Sequence, residues 1–188
     1  MARPKEFNID VALDAAVGVF REHGFAGSSA QMLIEAMKIG KQSLYDTFGG
    51  KWQLYCAAVA RYSSAETAEH IAMLQSETTA MAGIEQMLER VVAEAHRPCL
   101  GLSAISEFAT SRDDLVGIRE QAGRALRVAL QQKLVEAQQT GAVSAELDPD
   151  QGTAFLLANI AAIRLAARAG AKPSELNALK ALTLKALR

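Results

Sequence analysis

The chain has 188 residues and a formal net charge of −1, and half of it is apolar although only 5% is aromatic. So even a charge balance excludes nucleic-acid binding that rests on bulk positive charge. Two cysteines in a chain of this length exclude a disulfide framework and point to a reducing cytoplasm.

Ala, Leu, Gln, Glu, Lys and Arg dominate while strand-forming residues are scarce, so the expected fold is all-α, with about nine helices. The opening "MARPKEFNID" has no apolar signal core, and no run approaches the roughly 18 apolar residues of a membrane span. A soluble, cytoplasmic protein with no membrane partner is expected.

After a short basic arm, Asn8 suits an N-cap, and Ile9, Leu13, Ala16 and Phe20 follow at helical spacing until Gly24 ends the first helix. Ser28 with Gln31 three residues on reads as a capping box ahead of Leu33, Ile34 and Met37. The third element, Gly40 to Phe48, is short and is closed by Gly49-Gly50. Only "MKIG" separates it from the second, so the two helices cross, as in a helix-turn-helix.

Lys51 opens a longer fourth helix, with Trp52, Tyr55, Val59 and Tyr62 at three- and four-residue steps and the pattern running to about Gln75. Further helices are expected over 80–95, 98–110, 114–140, 149–170 and 174–187. Pro98 reads as the first position of the sixth, and Gly141 and Pro149 bracket a loop.

Residues 1–55 hold six basic and six acidic side chains, so any DNA binding depends on where the cations sit. In the third element Leu44 and Phe48 share one face, which leaves Lys41, Gln42, Ser43, Tyr45 and Asp46 to the others. An apolar side that holds the helix and a polar first turn free for the major groove are what a recognition helix needs. Its unpaired N–H groups suit phosphate, and Lys51 stands where it can grip the flanking backbone.

The stretch from Val11 to about Tyr62 resembles the DNA-binding domain of the TetR/AcrR family of bacterial transcriptional regulators. Phe20, His23-Gly24-Phe25, Ser28-Ser29, Leu44-Tyr45, Phe48 and Lys51 carry the resemblance. It implies a DNA-binding domain over 6–62, with its helix-turn-helix at about 29–48, and a ligand-binding and dimerisation domain over 63–188. Carried over by position, the DNA contacts are Ser29, Gln31, Lys41, Gln42, Ser43, Tyr45, Thr47 and Lys51. The chain departs from the family pattern at Lys38, Gly40, Asp46 and Thr47. Asp46 would repel phosphate unless neutralised, whereas Gln42 can read adenine bidentately.

The resemblance further implies a homodimer, a double-stranded operator, and a small-molecule effector of unknown identity. The alanine- and leucine-rich run "AFLLANIAAIRLAARAGAKPSELNALKALTLKAL" would form the dimer interface. Met73, Met87, Leu88, Leu102, Ile105 and Phe108 are candidates to line the effector pocket, with His96, Cys99 and Glu107 as polar contacts.

His96 and Cys99 in "HRPC" have a spacing that soft metal ligands use, but two ligands do not make a site, and a buried, inert Cys99 is expected. No metal and no cofactor is expected. A phosphate loop, a zinc-protease helix and a nucleophile elbow are all missing from the sequence. Glu85-Glu89 and Asp113-Asp114 read as solvated faces. The expected function is therefore a ligand-responsive transcriptional regulator, most simply a repressor, and not an enzyme. The competing reading is a helical small-molecule-binding protein or enzyme whose N-terminal helices are only structural.

Overall fold

Apolar residues recur at three- and four-residue steps along most of the chain, and in the computed structural model each such stretch is helical. The structure describes residues 7–188, so most of the basic arm lies outside the described residues. Among the described residues there are nine helices and no strand. They are α1 (Ile9–His23), α2 (Ala30–Met37), α3 (Lys41–Phe48), α4 (Lys51–Gln75), α5 (Ala80–Ala93), α6 (Leu100–Phe108), α7 (Asp113–Gln139), α8 (Pro149–Arg168) and α9 (Pro173–Lys185).

The caps explain most of these boundaries. Asn8 accepts from the Val11 N–H at 3.1 Å, and Gly24, at φ +66°, donates its N–H to Phe20 O at 2.9 Å. The cap of α2 is Ser29, not Ser28. Ser29 has an extended backbone and its Oγ accepts from the Met32 N–H, whereas the buried Ser28 hydroxyl donates to Phe25 O. Gln31 does not turn back to complete a capping box; its amide donates to Glu35 at 2.6 Å. The sixth helix likewise starts later than expected. Cys99 is its extended N-cap and Leu100 its first residue, so Pro98 lies outside it, with its carbonyl accepting from Arg21 Nε at 3.0 Å.

The chain forms two compact units. One comprises the residues up to Ser64 together with Pro98–Gln121. Its core joins Phe20, Leu33, Leu44, Leu54, Tyr55 and Leu100, so α6 packs with the N-terminal helices. The other comprises Ala65–Arg97 and Ala122–Arg188. It has one apolar cluster around Leu74, Ile84, Leu130 and Leu156, and another around Val91, Ile163 and Leu176. Among the described residues no helix is long and apolar enough to cross a membrane.

Candidate nucleic-acid interface

α3 is held by Leu44, which is 1% exposed, and by the half-buried Phe48. Lys41, Gln42 and Tyr45 are exposed, and Ser43 and Thr47 are half-buried. Ser29 and Gln31 are exposed at the start of α2. The turn between α2 and α3 is tight because Lys38 takes the left-handed conformation, at φ 54°, unusual for a residue with a side chain. Gly40 then caps α3 without a side-chain hydrogen bond, which leaves the first turn's N–H groups for a polar partner. Gly49, at φ 85°, ends the helix by donating to Tyr45 O at 2.9 Å.

Within α3, the Gln42 amide donates to Asp46 at 2.7 Å, a one-turn pair repeated in α2 by Gln31 and Glu35. The bond restrains the Asp46 carboxylate. It also leaves Gln42 its carbonyl oxygen and one amide hydrogen, the pair that bidentate reading of adenine requires.

Lys51 is placed differently from the α3 side chains. Its Nζ donates to Phe25 O at 2.6 Å and to Ser28 O, and stands 4.3 Å over the Phe25 ring. Burial lowers its pKa, against an opposing pull from Glu107. Glu107, which the sequence reading offered as an effector contact, accepts from the Phe25 N–H at 3.0 and 3.1 Å and from the Ala26 N–H at 3.1 Å.

The other eight candidate effector contacts divide between the two units. Met87 and Leu88 are fully buried in the second unit, with Met73 half-buried against the same cluster and His96 exposed. Cys99 is buried in the first unit, where Leu102 and Phe108 pack on the core and Ile105 is 48% exposed. A cavity of about 490 Å3 in the second unit is lined by Met81, Gln138, Val143, Ser144 and Arg188, and by none of the eight. Among the described residues no three His, Cys, Asp or Glu side chains are grouped to hold a metal ion.

Two polar clusters had no local sequence signal. Asp114 accepts from Trp52 Nε1 at 2.6 Å, with the Arg112 guanidinium 3.7 Å over the same indole, so it is not merely a solvated acid. Burial and Asp114 push the Cys56 thiol up to about 11, which keeps it protonated and unreactive. In the second unit Glu66 accepts from Arg90 at 3.1 Å and from Arg164 at 2.7 Å, beside the buried His70. Residues 24 and 98 positions apart meet there, a pairing no spacing rule could find.

Three crossing helices whose short third member is anchored by one leucine and displays polar side chains define a helix-turn-helix protein. Residues 12–58 match the family model for bacterial regulatory proteins of the tetR family. The chain is 28% identical over 151 residues to an uncharacterised HTH-type transcriptional regulator, YezE, of Bacillus subtilis, covering 78% of each chain. It is 27% identical over 189 residues to the HTH-type transcriptional repressor ComR of Escherichia coli, covering 97% of this chain and 90% of that one. Among solved structures, a cysteine mutant of the TetR family regulator CifR, complexed with a 26-bp double-strand operator DNA, superposes with a TM-score of 0.79. The two are 27% identical and all of both chains is covered. The similarity to bacterial regulatory proteins of the tetR family thus covers residues 12–58 by the family model and most of the chain by these relatives.

Proposed function

We propose that the protein is a ligand-responsive transcriptional repressor that binds a pseudo-palindromic operator as a homodimer. The observation that carries this reading is α3, which sinks Leu44 into the core and presents Lys41, Gln42 and Tyr45 to solvent one tight turn after α2. In this reading Ser29, Gln31, Lys41, Gln42, Ser43, Tyr45 and Thr47 face the DNA. Lys51 is left out of that set because two backbone carbonyls already bind its ammonium.

Two-fold symmetry would come from the C-terminal helices, where Phe155 and Leu165 on α8 and Leu182 on α9 stand exposed. The effector is a small molecule taken up by residues 63–188. Of the expected contacts, Met73, His96, Leu102, Ile105 and Phe108 keep accessible surface. Effector and operator then favour different conformations of one dimer, and each weakens the other's binding by the same factor. Acting on an operator places the protein in the bacterial cytoplasm.

The experiment is selection of bound duplexes from a random-sequence pool at two salt concentrations. The expected product is a pseudo-palindrome with half-sites about one helical turn apart. On that duplex Lys41→Ala should weaken binding and reduce the slope of log affinity against log salt by about one. Absence of any selected sequence, with no binding at low salt, would refute the regulator and favour a helical small-molecule-binding protein.

A further inference from the structure

The corner from Gly24 to Ser28 joins α1 to α2, and α3 follows α2 after one tight turn. The backbone of the corner lies outside α1 and α2, so its N–H and C=O groups need partners from elsewhere. Two side chains supply four of them. From α6, the Glu107 carboxylate accepts from the N–H groups of Phe25 and Ala26. From the first turn of α4, the Lys51 ammonium donates to the carbonyls of Phe25 and Ser28. Both are charge-assisted hydrogen bonds, about twice as strong as neutral ones.

Other features of the first unit fit the same arrangement. The positive φ of Gly24 favours glycine, and a Cβ there would overlap the Glu107 carboxylate and force that side chain off the corner. The Phe25 ring packs edge-on against Trp52, Tyr55 and Phe108 at centroid distances of 5.2, 5.1 and 5.7 Å. Phe108 is the residue after Glu107, so the last turn of α6 holds the corner through backbone and side chain together.

We infer that Glu107 and Lys51 form a two-sided clamp on the Gly24–Ser28 corner, and that both act on operator DNA as positioning residues rather than as phosphate contacts. This rests on the reading of α3 as the DNA-reading helix. α6 thereby becomes part of the reading head, although more than 50 residues separate it from α3 in the chain. Releasing either side of the clamp lets α2 and α3 sample other directions, and apparent affinity falls by the fraction of molecules that remain correctly set.

The test measures affinity of the full-length protein for its selected duplex across a salt series. The variants are Glu107→Gln, Glu107→Asp, Lys51→Met and the Glu107→Gln/Lys51→Met double variant, with Lys41→Ala as the phosphate-contact reference. Helical circular dichroism and the melting temperature of each establish that it is folded at the assay temperature. Glu107→Gln and Lys51→Met should each weaken specific binding about tenfold with no change in salt slope. Glu107→Asp keeps the charge but is one methylene too short to span both N–H groups, and should lose a similar factor.

The sign of the glutamate effect is decisive. Removing a negative charge from a DNA-binding domain favours association electrostatically, so a loss with Glu107→Gln reports geometry. The double variant should lose less than the product of the single losses, because both act on one corner. A slope reduced by about one in Lys51→Met puts that ammonium on phosphate and overturns the clamp. Unchanged or tighter binding in both folded Glu107 variants overturns it too. A wild-type chain that binds no duplex overturns the DNA-reading assignment itself, and the clamp's role with it.

Discussion

Helix α3 turns Leu44 into the core and Lys41, Gln42 and Tyr45 outward, whereas α8 does the reverse at two neighbouring residues. Arg164 is 4% exposed and Leu165 is 65% exposed. The two inversions have different physical consequences. Donors and acceptors displayed on a short, well-anchored helix are at ease in water and ready for a polar partner. An apolar stripe left in water costs about 25 cal/mol per Å2, a cost removed when another protein surface covers it. A buried guanidinium, in turn, has to bring its compensation into the interior. These are the faces that the proposed nucleic-acid reading of α3 and the proposed dimer interface on α8 require.

The largest expected effect breaks the inward side of α8. Glu66 is the carboxylate shared by Arg90 and Arg164; burial alone would raise its pKa, but the Arg90 hydrogen bond and both guanidinium charges hold it below the usual range. Glu66→Ala removes that compensation and should destabilise the protein by about 3 kcal/mol in a denaturant titration. A variant as stable as the wild type would mean that the network has no structural part.

A smaller effect is expected from pH. Burial, with the Arg90 and Arg164 charges against the opposing pull of Glu66, lowers the His70 pKa from 6.5 to about 4. Between those values the unfolded chain binds the extra proton and the folded one does not, so stability is complete above the unfolded pKa and falls as the solution is acidified. The loss between pH 7.5 and pH 5 should be roughly 2 kcal/mol. His70→Gln should flatten the melting temperature across that window.

The smallest effect on folding, and the sharpest on assembly, belongs to the outward side. Leu165→Glu should change monomer stability by less than about 0.5 kcal/mol, as a surface substitution does. It should nevertheless weaken the dimer at least about tenfold in sedimentation equilibrium, because it would put a desolvated charge into the interface. If the variant dimerises as tightly as the wild type, the α8 stripe is not the interface.

Local signals account for what was legible in the sequence. Asn8 and Gly24 delimit α1, Gly49 stops α3, and Leu44 with Phe48 gives α3 its buried side, because capping and periodicity act within one or two turns. The same signals misassigned Ser28 and Pro98. Each has the right chemistry for a helix start, but Ser28 is drawn into the corner through Phe25 O, and the Pro98 carbonyl is taken by Arg21. Residue type and helical spacing mark the effector candidates, and neither separates the core residues Met87 and Leu88 from half-exposed Ile105.

By itself, then, the sequence determined the all-α class, the order of the helices and the polar face of α3, because each depends on propensities and spacings a few residues wide. Only the tertiary structure decided that α6 joins the N-terminal helices, that Glu107 and Lys51 hold one corner, and that Glu66 serves two arginines. Those arrangements satisfy buried or bare polar groups with partners 23 to 98 positions away. A chain finds such partners by folding, since nothing in the neighbouring sequence names them.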